Sequence, residues 1–409
     1  PVSPVVAYGY RFGEFQSKIT PIKDGVKFQI HNWNELDRRP PMCISMGCHL
    51  TGYKLPFPDL SDVATSIAGE LKRVCYKTPT PDPIMREKLK CFTQKWCKDN
   101  LPPLETDTDV SFSTWIQSTK YTGRRKEELK RVFDDYDGFV KKRDAACKAF
   151  NKAESYPGFK HARGINSRSD LFKVVVGPVF SAIEKVLFKM KWFIKKIPVN
   201  DRARAVYERL GSPTARFYAT DYSAFESHFD PDTMSDIEFV LYEYMSRHLP
   251  EGKGWFEDVK RVIGAANKCN RLRYTASGVR ARMSGEMCTS LGNSFANLMV
   301  FLFVCSEAGI EEKDVDGFVE GDDGLFKFER HQKIDDTLFG RLGFTIKIEK
   351  FEKLSEASFC GLIFDPENLV IVTDPRDVLA EFGWAGPRYI PCGRPRLNEL
   401  LRAKSLSFA

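Results

Sequence analysis

The sequence lacks an apolar run of membrane-spanning length, any internal repeat and any low-complexity tract. The stretch Leu298 to Cys305 is apolar for eight residues, far short of the ~20 a helical span requires. No secretory leader opens the chain, which starts at Pro1 rather than Met and so reads as a fragment or a processed polyprotein piece. Its eleven cysteines are scattered without a paired framework, which argues against a disulfide scaffold and for a reducing compartment. Cys43, Cys48 and His49 could form half a zinc site. No second Cys/His pair completes it, so buried thiols fit better.

What is present is globular. A 409-residue chain that is 42% hydrophobic and 13% aromatic can bury an ample core, as two or three domains or one multi-lobed unit. The net charge of +7 is unevenly placed. Residues 120–196 hold 20 Lys and Arg against 9 Asp and Glu, while the remainder holds 42 against 46. A basic block apart from an acidic region suits a protein that grips phosphates with one part and metals with another. Many of these cations, such as Lys130 and Lys141, equally suit a solvated helix face. Lys152, Arg163 and Arg168 suit it less, because they lie in a loop-like stretch broken by Gly158 and Gly164.

Two adjacent acids, Asp322 and Asp323, sit between Gly321 and Gly324, with apolar strand-like runs on either side. Alone, the tripeptide also reads as a solvated hairpin tip. Adjacent carboxylates repel, and a pair of hard divalent ions is the obvious compensation. About a hundred residues upstream, the segment Arg216–Asp221 delivers Asp221 at its end, before a helix opened by Asp230 and Pro231. Two acids so presented can clamp two metals about 3.5–4 Å apart for an in-line phosphoryl displacement. Between the acidic sites lies Arg282-Met283-Ser284-Gly285-Glu286-Met287-Cys288-Thr289-Ser290-Leu291-Gly292-Asn293. Ser284-Gly285 reads as a loop, and Thr289 and Asn293 share one helix face.

Asp221, Ser284-Gly285-x3-Thr289-x3-Asn293 and Gly321-Asp322-Asp323 resemble, in order and spacing, palm motifs A, B and C of RNA-dependent RNA polymerases of positive-strand RNA viruses. The phrase Arg282–Asn293 is most similar to those of Tombusviridae and tombus-like viruses. Tyr121–Lys126, Phe150–Glu154 and Ala162–Ser169 resemble finger segments of the same group, the last of them motif F. Leu342–Lys347 and Phe359-Cys360 occupy the places of motifs D and E. The likeness covers about residues 115–385. Two positions depart from it: Glu226 stands where the family usually has a second Asp, and Ala162 where it has Pro.

The resemblance implies an α+β right-hand polymerase, with an antiparallel palm sheet flanked by helices and a thumb largely missing or truncated. It divides the chain into an N-terminal region with fingertips (1–110), basic fingers with motif F (111–211), palm with motif A (212–252), a fingers insertion (253–283), palm with motifs B to E (284–375) and the start of a thumb (376–409). Asp221, Asp322 and Asp323 would be catalytic acids and ligands of two Mg2+ ions, for which Mn2+ can substitute, with Asp323 in the weaker position. Lys152, Arg163 and Arg168 would neutralise the triphosphate. Glu226, Ser284, Gly285, Thr289 and Asn293 would bind the nucleotide at its ribose, and Lys347 would be a general acid for pyrophosphate unless it is simply an exposed strand lysine. Implied partners are template and nascent RNA, NTPs and other viral replicase components, in a membrane-associated replication complex of the host cytoplasm, with no transmembrane segment in this chain. A reverse transcriptase and a catalytically dead RNA-binding scaffold are the rival readings. The motif B helix argues against the first, and the intact acids argue against the second.

In coarse secondary structure, the pattern predicts helices near 82–99, 178–196 and 231–248, strands at 26–30, 216–221 and 344–349, and a hairpin over 315–328.

Overall fold

The computed structural model describes residues 5–14, 21–31, 39–50, 57–138, 140–141, 145–156, 158–329, 332, 334–365 and 367–408. Helices and sheets are mixed along the chain, and the described strands form four sheets.

At the centre is a four-stranded antiparallel sheet, ordered Ile346–Phe351, Arg216–Tyr222, Asp323–Phe328, Val315–Glu320. The hairpin falls where the alternating apolar runs predict it. Behind the sheet lies the helix Thr289–Glu307, buried from Leu291 to Cys305. Phe301 stacks on Phe326 of the sheet with ring centroids 3.5 Å apart. Burying one such side chain is worth about 2 kcal/mol, so this contact is one of the main joints of the core. By length and composition this helix, with a mean hydropathy of 1.3, could cross a membrane, yet 83% of it is buried inside the protein. That burial is the mark of a core helix, apolar all round because protein surrounds it.

A five-stranded sheet gathers distant segments: Lys27–Ile30, Tyr274–Val279, Asn267–Asn270, Cys147–Asn151 and Gly164–Ser167. Lys152 and Arg163 therefore flank paired strands instead of sitting in open loop, and the Lys152 amide donates to the Arg163 carbonyl at 2.8 Å. Two smaller sheets complete the set. One joins Val6–Tyr8 and Pro41–Ser45 to the late strand Trp384–Ala385, and the other is Ser358–Phe359, Leu362–Asp365 and Val370–Val372.

Capping chemistry accounts for most helix starts. Asp82 accepts from Ile84 N at 2.9 Å and opens Pro83–Asn100, close to the predicted bounds. The helix predicted over 178–196 is instead Asp170–Leu187, because Ser169 caps it and Pro178 lies in its interior rather than at its start. The single helix predicted over 231–248 is two, Pro231–Asp236 and Glu238–Ser246, broken at Ile237 where ψ is −78°. The predicted strand at 344–349 starts two residues later, at Ile346. The last described helices are Pro375–Phe382 and Arg394–Phe408. All eleven cysteines are free; Cys43 is buried and Cys48 exposed.

Candidate functional site

The acidic turn is fastened from behind. Gly321 takes a left-handed φ of +62°, which glycine adopts without strain. Its amide donates to Ser294 Oγ at 2.8 Å, and Asn297 Nδ2 donates to the carbonyls of Gly321 at 3.2 Å and Asp323 at 3.0 Å. Ser294 and Asn297 are buried on the core helix. A solvated hairpin tip has water for those groups; here the protein supplies the partners and so fixes the turn. On the neighbouring strand Thr220 pairs with Gly324, which places Asp221 one residue on beside the turn. A Cβ at position 324 would fall 2.5 Å from Thr220 Oγ1, so close approach of the two strands requires glycine there.

The three acids repel one another. Burial, then Asp322 and Asp221, push the Asp323 carboxyl up to about 6, opposed in part by a hydrogen bond from Cys360. Asp322 is also raised, by burial first and then by Glu226 and Asp221, with Arg73 pulling the other way. None of the three joins an ion pair among the described residues. Uncompensated carboxylate oxygens fit a hard divalent cation. Among the described residues, no three His, Cys, Asp or Glu side chains close into a metal cage.

Around the acids are buried polar atoms without a partner: Thr220 Oγ1, Tyr222 OH, Asn293 Oδ1, Asn297 Oδ1 and Glu320 Oε2. Leaving such groups unpaired costs about 1–3 kcal/mol each. Asn293 is 6% exposed. The other residues of its motif are spent locally. Ser284 Oγ donates to the Gly164 carbonyl at 3.2 Å and accepts from Asn166 N at 3.3 Å. Gly285 N donates to the Asn166 carbonyl at 2.9 Å, and a Cβ there would lie 2.6 Å from the same oxygen. Thr289 Oγ1 donates to the Glu286 carbonyl at 3.0 Å. The Ser284-Gly285 loop is thus stitched to the strand Gly164–Ser167. Arg282 anchors it from the far side, fully buried at 2.7 Å from Glu238 and over the Phe229 ring.

The basic residues divide. Lys152 and Arg163 stay at the surface and share Glu154, at 2.7 and 3.3 Å. Arg168 is buried, paired with Glu286 at 2.7 Å and bonded to Asn267 and the Ala145 carbonyl. Its donors are used inside the protein, so in this structure it faces no surface where a triphosphate could sit. Glu226 pairs with Arg73 at 2.6 Å, and no hydrogen bond joins it to Asn293 among the described residues. Lys347 stands opposite Asp221 across the strand pair, but its exposed ammonium pairs with Glu349 at 3.0 Å. Ala162, in the place of the family's Pro, is buried, with its carbonyl 2.1 Å from where a Cβ on Gly69 would fall.

Sequence reasoning missed Ser294, Asn297 and Arg73. The first two had a signal, being polar positions in an otherwise apolar helix. Arg73 had none, since its partner is 153 residues away. A cavity of about 1220 Å3, lined by Phe112, Phe133, Pro178 and Trp255 among others, lies apart from this site and contains none of the residues above.

A family model described as viral RNA-dependent RNA polymerase matches residues 68–379. The RNA-directed RNA polymerase of Striped jack nervous necrosis virus is 27% identical over 245 residues, covering 56% of this chain and 23% of that protein. Those of Pothos latent virus (isolate Pigeonpea/India) and Groundnut rosette virus (strain MC1) are 26% and 25% identical, each over 59% of this chain and over 34% and 30% of their own lengths. The chain therefore spans between about a quarter and a third of the curated relatives it matches.

Proposed function

The chain belongs to the viral RNA-dependent RNA polymerase family, and from that premise we propose that it carries out template-directed RNA synthesis, transferring nucleotides from NTPs to an RNA 3′-hydroxyl. The observation that carries this reading is the acidic turn, held by Ser294 and Asn297 beside Asp221 with its charges uncompensated. In hand terms the central sheet is the palm, the five-stranded sheet belongs to the fingers, and the helices after Pro375 begin a thumb. The narrower affinity with tombus-like viruses rests on the phrase Arg282–Asn293 and on the finger segments Tyr121–Lys126, Phe150–Glu154 and Ala162–Ser169.

Asp221 and Asp322 would hold two Mg2+ ions, with Asp323 in a weaker position. When bound, such a pair lowers the pKa of the attacking hydroxyl and stabilises the leaving oxygen. The protein's own part is positional. Ser294 and Asn297 keep the carboxylates from turning away, so no reorganisation is needed when charge develops. Lys152 and Arg163, at the surface, would meet the triphosphate once Glu154 releases them. Asn293 would meet a ribose hydroxyl, whose O–H can donate to the partnerless Oδ1, so that this buried amide oxygen is satisfied only by a sugar that carries one. Other replicase components and a membrane-associated site in the host cytoplasm complete the proposal.

Primer extension on an RNA template with Mg2+ tests it. Wild type should add NMPs in template order, and Asp322→Ala should not. Template-independent addition, or extension that survives Asp322→Ala, would remove the reading.

A further inference from the structure

The helix Val63–Arg73 lies outside every motif recognised in the sequence, yet it is firmly mounted. Asp62 caps it, accepting from Ala64 N at 3.0 Å. Glu70, 2% exposed, accepts from Arg271 Nη2 at 2.6 Å and from Asn166 Nδ2 at 3.0 Å. At Gly69 the helix meets the Ala162 carbonyl so closely that a Cβ would lie 2.1 Å from its oxygen. These contacts tie the end of the helix to the strand Gly164–Ser167 and to the turn that carries Arg271.

Three residues beyond Glu70, on the same helix face, Arg73 reaches out of that mount. Its guanidinium meets Glu226 Oε1 at 2.6 Å, with the two side chains 21% and 11% exposed. Glu226 sits in the 3-10 turn Phe225–His228, and its carbonyl accepts from Arg282 N at 3.1 Å. Its backbone is therefore fixed, and Arg73 holds its carboxylate.

The identity of residue 226 makes this pairing informative. The motif that Asp221–Glu226 resembles has Asp at this place, and an Asp on the same backbone is one methylene shorter than the glutamate that makes the contact. A glutamate has one more rotatable bond to restrain, and ordering a long side chain costs up to about 2 kcal/mol. Arg73 meets that cost in advance through Oε1, and no donor to Oε2 is found among the described residues. We propose that Arg73 is a positioning residue that clamps Glu226 toward the sugar, so that ribose selection in this chain depends on a helix outside the polymerase motifs. The inference rests on the polymerase reading and deepens it.

The clamp works in both directions. Lys72, Lys160 and Arg163 crowd the same side: burial first, and then the charges of Arg163, Arg73 and Lys72, lower the Lys160 pKa, with Glu154 opposing. Without Glu226, Arg73 would be left between these like charges and the Asp322 carboxyl, whose pKa it already lowers. An Arg73 that instead contacts the triphosphate directly is the competing outcome.

The test compares the 409-residue wild type with Arg73→Met, Arg73→Lys, Glu226→Asp and the Arg73→Met/Glu226→Asp pair. Two ratios are read for each: rNTP over dNTP incorporation in competition, and GTP over dGTP equilibrium binding. Arg73→Met should cut the ribose preference about tenfold, with kcat for rNTP within about twofold of wild type. Arg73→Lys keeps the charge but loses the fork, and should cost about two- to threefold. In the Glu226→Asp background, exchanging residue 73 should change neither ratio, because the shorter carboxylate does not lean on it. Equal losses in both backgrounds would place Arg73 on the nucleotide itself and overturn the clamp. So would an unchanged preference in both Arg73→Met and Arg73→Lys. If Arg73→Met melts early, Arg73→Lys carries the decision. A wild type that binds GTP over dGTP but adds no nucleotide would refute the polymerase reading, while the binding ratio still judges the clamp.

Discussion

The acidic turn and the basic segment are both rich in charge, but the acids of the turn stand outside any described ion pair, whereas Lys152, Arg163 and Arg168 are each paired. Asp221, Asp322 and Asp323 have no cationic partner in an ion pair among the described residues, and Asp323 is pushed up to about 6 by burial and its neighbours. In the basic segment, Lys152 and Arg163 share Glu154, and Arg168 is consumed by Glu286. A count of charges makes the two regions look equally functional. Partnership separates them: an acid outside any ion pair is open to a ligand, whereas Arg168, buried against Glu286, belongs to the scaffold.

The largest effect that could break this contrast is loss of an unpaired acid. Asp322→Ala should reduce nucleotide addition by at least about a thousandfold, or ~4 kcal/mol at ~1.4 kcal/mol per tenfold, while removing mutual repulsion and leaving thermal stability equal or slightly higher. Single-turnover primer extension and a thermal melt check both halves. A variant that keeps a tenth of wild-type extension would show that the acid is not part of the chemistry.

A scaffold charge should behave oppositely. Arg168→Ala strands Glu286 at 0% side-chain exposure, and breaking such a buried pair costs about 3–5 kcal/mol. Urea denaturation should show that loss. A folded Arg168→Ala of ordinary stability, impaired only in its apparent affinity for NTP, would return Arg168 to the triphosphate.

How much of this was legible in the sequence depends on the range of each interaction. The hairpin, the helix Pro83–Asn100 and the spacing of Thr289 and Asn293 are set by local pattern and caps, and the sequence displays them. The helix Asp170–Leu187 was misplaced because Pro178 reads as a start signal, while the true cap, Ser169, is a common residue. The fates of Arg168 and Glu226 were illegible. Each is decided by a partner more than a hundred residues away, Glu286 for one and Arg73 for the other. Residue type says what a side chain could bind; only the fold says whether something already has it.

A third group sharpens the comparison from the neutral side. His228 is buried behind the Asp221 loop, stacks on Phe344 and accepts the Thr345 amide at Nε2, at 3.0 Å. Burial first, and then Lys23, lower its pKa from 6.5 to about 4, against hydrogen bonds to the Phe225 and Ala224 carbonyls and the charge of Glu226. Because the folded-state value lies below the unfolded one, its contribution is fully present above pH 6.5 and is lost as the pH falls toward about 4. That contribution is worth about 3 kcal/mol at ~1.4 kcal/mol per pKa unit. Denaturant midpoints at pH 7.5 and 4.5 should differ by most of it, and His228→Gln should flatten the difference. An undiminished acid loss in His228→Gln would assign it to other groups.

The smallest effect bears on the surface cations, where the contrast is least sharp. Arg163 is 38% exposed at the side chain and stands 3.3 Å from Glu154, which it shares with Lys152. An exposed pair of that kind contributes at most about 1 kcal/mol, and Lys152 stays behind to neutralise Glu154, so Arg163→Ala should leave stability within about 0.5 kcal/mol of wild type. If Arg163 turns to the triphosphate during synthesis, its charge counts for more once water is excluded. The maximal incorporation rate at saturating RNA and NTP should then fall about tenfold. Weaker RNA binding with an unchanged maximal rate would make Arg163 a simple phosphate grip. A stability loss of several kcal/mol would class it with Arg168, and the division drawn within the basic segment would fail at the residue where it was finest.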